Sequence, residues 1–139
     1  CALPICELIS EMSGKDIGRR VIPGDDPRYL KMEVTLESQG TVLGLPAMAT
    51  DTLTVWERIP GQMISDGRGI IMTPAGGIIW TGTGVSRMTG EGMAGSARFS
   101  CTVQAPTDGP LARLNGVVLV GEQEIAADGS FTNRVWEWK

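Results

Sequence analysis

Apolar and polar side chains alternate with a period of two along much of this chain. In the segment 29–43, Leu30, Met32, Val34 and Leu36 alternate with charged or hydroxyl residues. Successive side chains of a β-strand point to opposite faces, so this pattern predicts an antiparallel strand with one buried face and one wet face.

Similar segments recur along the chain, separated by turn signals such as Asn115-Gly116 and Asp128-Gly129. We place strands at 16–22, 29–43, 50–59, 63–73, 78–87, 93–103, 117–125 and 131–138. The segment 1–12 predicts a short helix after Pro4, or an irregular segment. The fold prediction is all-β: a single antiparallel up-and-down β-barrel of about eight strands forming one domain over 1–139, with a sandwich as the alternative.

Glycines repeat inside the strands predicted over 76–103. Gly82 and Gly84 are two residues apart and therefore share one face of a strand, and Gly95 lies on the next strand. Strand interiors disfavour glycine, so this spacing indicates a sharply bent sheet or a group packed closely on the backbone. Trp80 shares that face, and we predict that it packs in the core over the gaps left by Gly82 and Gly84.

Several polar residues fall on the predicted interior face. Glu57, Gln123, Asn133 and Glu137 share the phase of apolar neighbours on their strands. A buried carboxyl is costly and its pKa tends to rise, which suits acid–base chemistry. We therefore predict Glu57 and Glu137 as candidate catalytic residues. Alternatively, both lie at strand ends and reach solvent at the barrel mouth.

A few polar groups among apolar walls are also typical of a small-molecule site. The interior phase adds Trp80 and Cys101 to Gln123 and Asn133, and these four are the predicted ligand-binding residues. Cys101 has no histidine partner to activate it, so a buried structural thiol is the favoured interpretation over a nucleophile.

Three tryptophans fall on the opposite, outward phase. Trp56, Trp136 and Trp138 would then face solvent, which is unusual in a monomer. This placement predicts a homo-oligomer interface, or else the phase of those strands is reversed and the tryptophans fill the barrel.

Composition excludes several classes of function. The net charge of −4 argues against a nucleic-acid partner, which needs a clustered basic surface. The absence of histidine removes the serine–histidine–acid triad and histidine metal ligands, so we predict neither a metal site nor a cofactor. Residues 90–95 match GxGxxG, but they join two predicted strands and indicate a hairpin turn.

The location follows from apolar runs and cysteine usage. No apolar run approaches the roughly 20 residues of a membrane span, and three cysteines, Cys1, Cys6 and Cys101, are too few for a disulfide framework. We expect a soluble cytoplasmic protein with reduced thiols. A chain that begins with Cys1 leaves a lipid anchor at that residue as the alternative.

Two segments resemble known small barrels. The run WTGTGVSRMTGEGMAGSARF (80–99) and the later GPLARLNGVVLVGEQEI (109–125) resemble the glycine-punctuated strands of allene oxide cyclase-like and calycin-type barrels. They also resemble small bacterial barrels of unassigned function that carry a G-x-LA-x-L-x-G segment, here 109–116. The resemblance implies an eight-stranded, often oligomeric barrel whose apolar cavity binds a ligand or steers a cyclisation.

Three functional hypotheses follow from the sequence. The first is a barrel that binds a small apolar molecule in its lumen. The second is a cofactor-independent cyclase or isomerase that uses Glu57 or Glu137 as general acid–base. The third is a structural protein that oligomerises through its outward tryptophans.

Overall fold

The computed structural model of the chain describes residues 5–139, with side chains described from residue 7 onward. Almost all regular structure is β-strand. The strands are β1 (Ile5–Val21), β2 (Lys31–Val42), β3 (Leu45–Ile59), β4 (Gln62–Thr73), β5 (Gly76–Met88), β6 (Gly95–Gln104), β7 (Leu119–Ile125) and β8 (Ser130–Trp138). A single 3₁₀ turn, Ala112–Leu114, lies between β6 and β7.

The eight strands form a closed antiparallel barrel in chain order, and β8 pairs with β1 to complete it. This confirms the predicted all-β up-and-down barrel and excludes the sandwich. Closure leaves no unpaired sheet edge. Within residues 5–139, no helix is long and apolar enough to span a membrane.

The strands are staggered around the barrel. Following the paired residues once around the barrel from Ala47 leads back to the same strand at Glu57, ten residues further along. Such a stagger requires the strands to tilt against the barrel axis, and an eight-stranded barrel is wide enough to hold side chains or one small ligand. The stagger therefore decides which residues of distant strands share a level inside the barrel.

The predicted N-terminal helix is wrong for the described part of segment 1–12, because residues 5–12 belong to β1. The pairing of β1 with β8 shifts between Leu8 and Ser10, which marks a β-bulge. As a result Ile9, Ser10 and Met12 are all buried, and this spacing imitates a helical pattern. Cys1 and the lipid anchor considered there lie outside the described residues.

One end of the barrel is closed by the connection between β6 and β7. Leu111 and Leu114 are almost fully buried and pack with Ile9, Ile78 and Leu119. The Asn115 side chain fastens this connection, since its Oδ1 accepts a hydrogen bond from the Ala105 backbone N–H at 2.8 Å. We call this the closed end, and the opposite end, with the β1–β2, β3–β4, β5–β6 and β7–β8 connections, the mouth.

Candidate functional site

The lumen contains a cavity of about 240 Å³. Its walls are mostly apolar and include Val34, Leu36, Leu53, Phe99 and Phe131. The hydrophobic alternation of β2, β3, β6 and β8 produces this surface, because the apolar phase of each strand turns inward when the sheet closes.

The titratable groups on the cavity wall are few among the described residues. Asp51 and Cys101 lie deep in the lumen, while Asp16 and Arg19 lie toward the mouth. The Arg19 guanidinium forms an ion pair with the Asp16 carboxylate, so these two charges are already matched. Asp51 is the carboxylate left without a cationic partner.

Trp80 lies inside the barrel, across the glycines of the neighbouring strand. A Cβ atom at Gly67 would meet the six-membered ring of Trp80, and one at Gly69 would meet its indole nitrogen. The prediction that Trp80 packs over Gly82 and Gly84 of its own strand is therefore wrong, because the ring packs over Gly67 and Gly69 of β4. The side chain crosses to β4 because two glycines at period two leave a flat strip of backbone there.

Asp51 lies at the end of the Trp80 side chain. The Trp80 Nε1–H donates a hydrogen bond of 2.7 Å to Asp51 Oδ1, across a sequence separation of 29 residues. The two strands that carry them, β3 and β5, both pair with β4, with Gly69 between the two residues in the register. Without a side chain at Gly69, the carboxyl and the indole meet directly.

Asp51 is only 7% exposed. Burial raises the pKa of its carboxyl to about 6, and the hydrogen bond from Trp80 lowers it in part. A carboxyl of this kind is present in both protonation states near neutral pH, which is the property of a general acid–base group.

Cys101 lies on β6 opposite Gly82 and also faces the cavity. Burial raises the pKa of its thiol to about 11, and the nearby charge of Asp51 adds to the effect. The thiolate is the reactive form, so Cys101 is a neutral, weakly reactive wall residue at neutral pH.

Two buried polar atoms in the cavity wall have no hydrogen-bond partner within residues 5–139. They are Ser38 Oγ and Asn133 Oδ1. Buried polar groups in native proteins nearly always have a partner, supplied by protein, water or ligand. Each atom therefore retains unused hydrogen-bonding capacity that water or another molecule in the lumen could satisfy.

The stagger brings these groups together at one height. The ten-residue stagger corresponds to an average shift of about 1.25 residues between neighbouring strands. With this shift, the pairings place Ser38, Asp51 and Asn133 within about one residue's rise of each other along the barrel axis. Ser38 is also a diagonal neighbour of Asp51, since Ser38 pairs with Ala49 and Asp51 pairs with Leu36. We call Ser38, Asp51 and Asn133 the polar belt of the lumen.

The six residues singled out from the sequence separate into two groups. Trp80, Cys101, Gln123 and Asn133 all line the cavity, so the structure brings the four together. Their role in ligand binding stays a prediction.

Glu57 and Glu137 lie outside the cavity wall. Glu57 is half-buried near the mouth end of β3, one inward position beyond Val55. Glu137 lies at the closed end, and its side chain is 13% exposed. Arg113 Nη2 lies 3.3 Å from Glu137 Oε2 and also forms an ion pair with Glu7. Their phase is inward as predicted, but both lie near the ends of their strands, outside the residues that line the cavity. Their catalytic role stays a prediction.

Asp51 and Ser38 were missed by reasoning from the sequence. Asp51 is two residues before Leu53 and four before Val55, so extending the same alternation toward the start of β3 identifies it. Ser38 follows Leu36 in the same way on β2. The signal was present, but nothing in the sequence indicates that these two positions share a level.

The outward tryptophans do not form one patch. Trp56 is on β3, whereas Trp136 and Trp138 are on β8, and β1 and β2 lie between those strands. Trp138 is 57% exposed, while Trp56 and Trp136 are half-buried. An oligomer interface through these residues stays a prediction.

Among residues 5–139, no three or more cysteine or acidic side chains are grouped so that they could hold a metal ion.

Comparison with known proteins identifies the fold and no family. No family model and no curated protein matches the chain. A crystal structure of a conserved protein of unknown function from Rhodopseudomonas palustris matches with a TM-score of 0.71 and 10% identity, over 94% of this chain and 95% of that one. A protein with unknown function from Clostridium acetobutylicum matches with a TM-score of 0.69 and 11% identity, over 96% and 98%. At such low identity the likeness extends to the barrel alone, and nothing here points specifically to allene oxide cyclase-like or calycin barrels.

Proposed function

We propose that this barrel binds a small, largely apolar molecule in its lumen. The observation that carries the proposal is the cavity of about 240 Å³, whose apolar wall is interrupted by the polar belt. Apolar walls with a few convergent polar groups are the usual composition of a small-molecule site.

The cavity volume limits the size of the ligand. An engineered protein cavity of about 150 Å³ holds benzene, so by proportion this lumen holds a molecule of about ten non-hydrogen atoms. A bicyclic or short branched hydrocarbon skeleton with one oxygen atom fits this volume and matches the polar belt.

We propose that the resemblance of two segments to allene oxide cyclase-like and calycin-type barrels extends to the use of the lumen. It implies a lumen that holds an apolar ligand or steers a cyclisation. The chemistry of the wall is compatible with either role, since apolar side chains surround the carboxyl of Asp51, which has no cationic partner in the described part of the wall.

Naphthalene, with ten carbon atoms, is a suitable first probe. We expect the folded protein to bind naphthalene with a shift of the Trp80 indole N–H resonance in a ¹H–¹⁵N spectrum, because Trp80 lines the cavity and its indole N–H is bonded to Asp51 in the same wall. Titration calorimetry supplies the affinity.

The matched controls lie on one strand. Ala97 faces the cavity and Thr102 is exposed on the outside of β6, so Ala97→Leu fills the lumen and Thr102→Leu does not. We expect Ala97→Leu to weaken binding at least tenfold and Thr102→Leu to leave it unchanged. Absence of naphthalene binding in the folded wild-type protein, or equal binding by both variants, contradicts the proposal.

A further inference from the structure

The polar belt includes the Asp51 carboxyl, an ionisable group that binding of an apolar ligand does not require. Asp51 Oδ1 accepts the hydrogen bond from Trp80, whereas Oδ2 has no hydrogen-bond partner in residues 5–139. An asparagine would accept the same hydrogen bond without the cost of a buried charge. A carboxyl in an apolar lumen with one oxygen available is characteristic of acid–base sites.

We propose that Asp51 transfers a proton between carbon atoms of a carbonyl compound bound in the lumen, which makes the barrel a cofactor-independent isomerase. This inference rests on the proposed ligand-binding function and assigns a substrate class to it. Trp80 is the positioning residue, because its indole N–H holds Oδ1 and directs Oδ2 toward the ligand.

The chemical step is balanced without any further reactant. Asp51 Oδ2 accepts a proton from the carbon next to the carbonyl group, and the C–H electron pair forms the carbon–carbon double bond of an enolate. The negative charge moves to the carbonyl oxygen. Asp51 then returns the proton, either to the same carbon or to the far carbon of a conjugated system, which moves the double bond.

Ser38 is placed to stabilise the enolate oxygen. Its hydroxyl is buried, unpartnered and diagonal to Asp51 across β2 and β3. A hydroxyl donates one hydrogen bond, and a donor aimed at a developing oxyanion in a water-poor site contributes strongly to the rate. Asn133, on the opposite part of the belt, supplies a further polar contact.

The acid–base properties of Asp51 agree with this role. Burial raises the pKa of the carboxyl to about 6, so the carboxylate is the main form at neutral pH and still returns a proton readily. The other titratable groups on the cavity wall are the neutral thiol of Cys101 and the ion pair of Asp16 with Arg19 toward the mouth.

Deuterium exchange into 2-tetralone tests the proposal. This bicyclic ketone has eleven non-hydrogen atoms and acidic hydrogens next to its carbonyl group, and incorporation of deuterium from D₂O is followed by mass spectrometry. We expect the wild-type protein to accelerate exchange over buffer. We expect Asp51→Asn to lose about 100-fold or more of that acceleration while still binding 2-tetralone, because it retains the shape and the acceptor for Trp80.

Two further variants separate catalysis from structural effects. Asp66→Asn changes an exposed carboxylate on the outer face of β4 and should exchange like wild type. Trp80→Phe removes a hydrogen bond that lowers the pKa of Asp51, so the midpoint of the pH–rate profile should move to higher pH.

The outcomes distinguish the two proposals. Binding of 2-tetralone by wild type without exchange above buffer overturns the proton-transfer inference and leaves ligand binding intact. Equal exchange by Asp51→Asn and wild type also overturns it, as does a loss seen in Glu57→Gln and not in Asp51→Asn. If neither naphthalene nor 2-tetralone binds, the proposed function itself fails.

Discussion

At the scale of single residues, Asp51 is the position where stability and chemistry oppose each other. Its carboxyl is buried in an apolar wall and has one neutral partner, the Trp80 indole N–H. Because burial disfavours the charged form, the ionised carboxylate destabilises the folded state. The same burial makes the group a usable proton acceptor near neutral pH.

The first prediction concerns the pH dependence of stability. The folded-state pKa of Asp51, about 6, lies above the ordinary value of 3.8. Between these values the folded state binds more protons than the unfolded state, so the contribution of Asp51 to the free energy of unfolding falls as pH rises through that window and is constant above it. The free energy of unfolding of Asp51→Asn, relative to that of wild type, should therefore increase by on the order of 3 kcal/mol between pH 3.5 and pH 7.5.

Urea unfolding of both proteins across this pH range measures the difference. Other carboxylates, such as Glu7 beside Arg113, have a lowered pKa and the opposite trend, and the subtraction cancels them. Asp66→Asn, at an exposed position on the outer face of β4, serves as the control for an aspartate-to-asparagine change outside the lumen. A difference in the free energy of unfolding between Asp51→Asn and wild type that stays constant from pH 3.5 to 7.5 would disprove the raised pKa of Asp51.

At the scale of elements, glycines on one strand create space for an aromatic ring on the next. Trp80 of β5 lies over Gly67 and Gly69 of β4, and Phe99 of β6 lies over Gly121 of β7. A strand without Cβ atoms at period two offers a flat surface on which a ring can lie. The two aromatic side chains are thereby held against the wall, which leaves the middle of the lumen open.

The second prediction tests this arrangement at Gly69. A Cβ atom there would overlap both Asp51 Oδ1 and Trp80 Nε1. Overpacking of a buried site typically costs about 1–3 kcal/mol, so Gly69→Ala should lower the free energy of unfolding by that amount. The Trp80 indole N–H resonance should also move toward the position of an unbonded indole.

Gly18 of β1 supplies the matched control. A Cβ atom at Gly18 has no heavy atom within 4 Å, and its φ is not in the left-handed region. Gly18→Ala should therefore change stability by less than about 0.5 kcal/mol. Similar effects of the two substitutions would show that the glycine strip of β4 does not hold the Asp51–Trp80 pair.

At the scale of the whole molecule, the two ends of the barrel differ. The closed end is sealed by Leu111 and Leu114, from the connection between β6 and β7. The mouth is lined by Met32, Met63 and Met88, whose flexible side chains adapt their shape readily. We infer that a ligand enters through the mouth and that the closed end sets the depth of the lumen.

The third prediction concerns the seal. Leu114 is 2% exposed and lines the cavity at the closed end. Leu114→Ala therefore removes buried apolar contacts and leaves a void at that end. Truncation of a buried leucine costs about 2–5 kcal/mol. Val118 lies nearby in sequence but is 40% exposed, and Val118→Ala should cost less than about 1 kcal/mol. If thermal or urea unfolding shows that Leu114→Ala and Val118→Ala lower the free energy of unfolding equally, the role of Leu114 in sealing the closed end is contradicted.

The sequence by itself determined the local part of this protein. Period-two alternation and turn residues predicted the barrel strands, and the inward phase predicted for Cys101 agrees with its position on the cavity wall. These features depend only on neighbours along one strand. Where a bulge breaks the period, as at Leu8–Ser10 in β1, the same reasoning predicted a helix and was wrong.

Only the tertiary structure decided which residues form the site. The Asp51–Trp80 hydrogen bond joins residues 29 positions apart on strands that are not adjacent, and it exists because Gly69 lies between them. The ten-residue stagger brings Ser38 and Asn133 to the level of Asp51 and leaves Glu57 at the mouth. Alternation gives the face of a residue but not its height, because height depends on the pairing register of all eight strands.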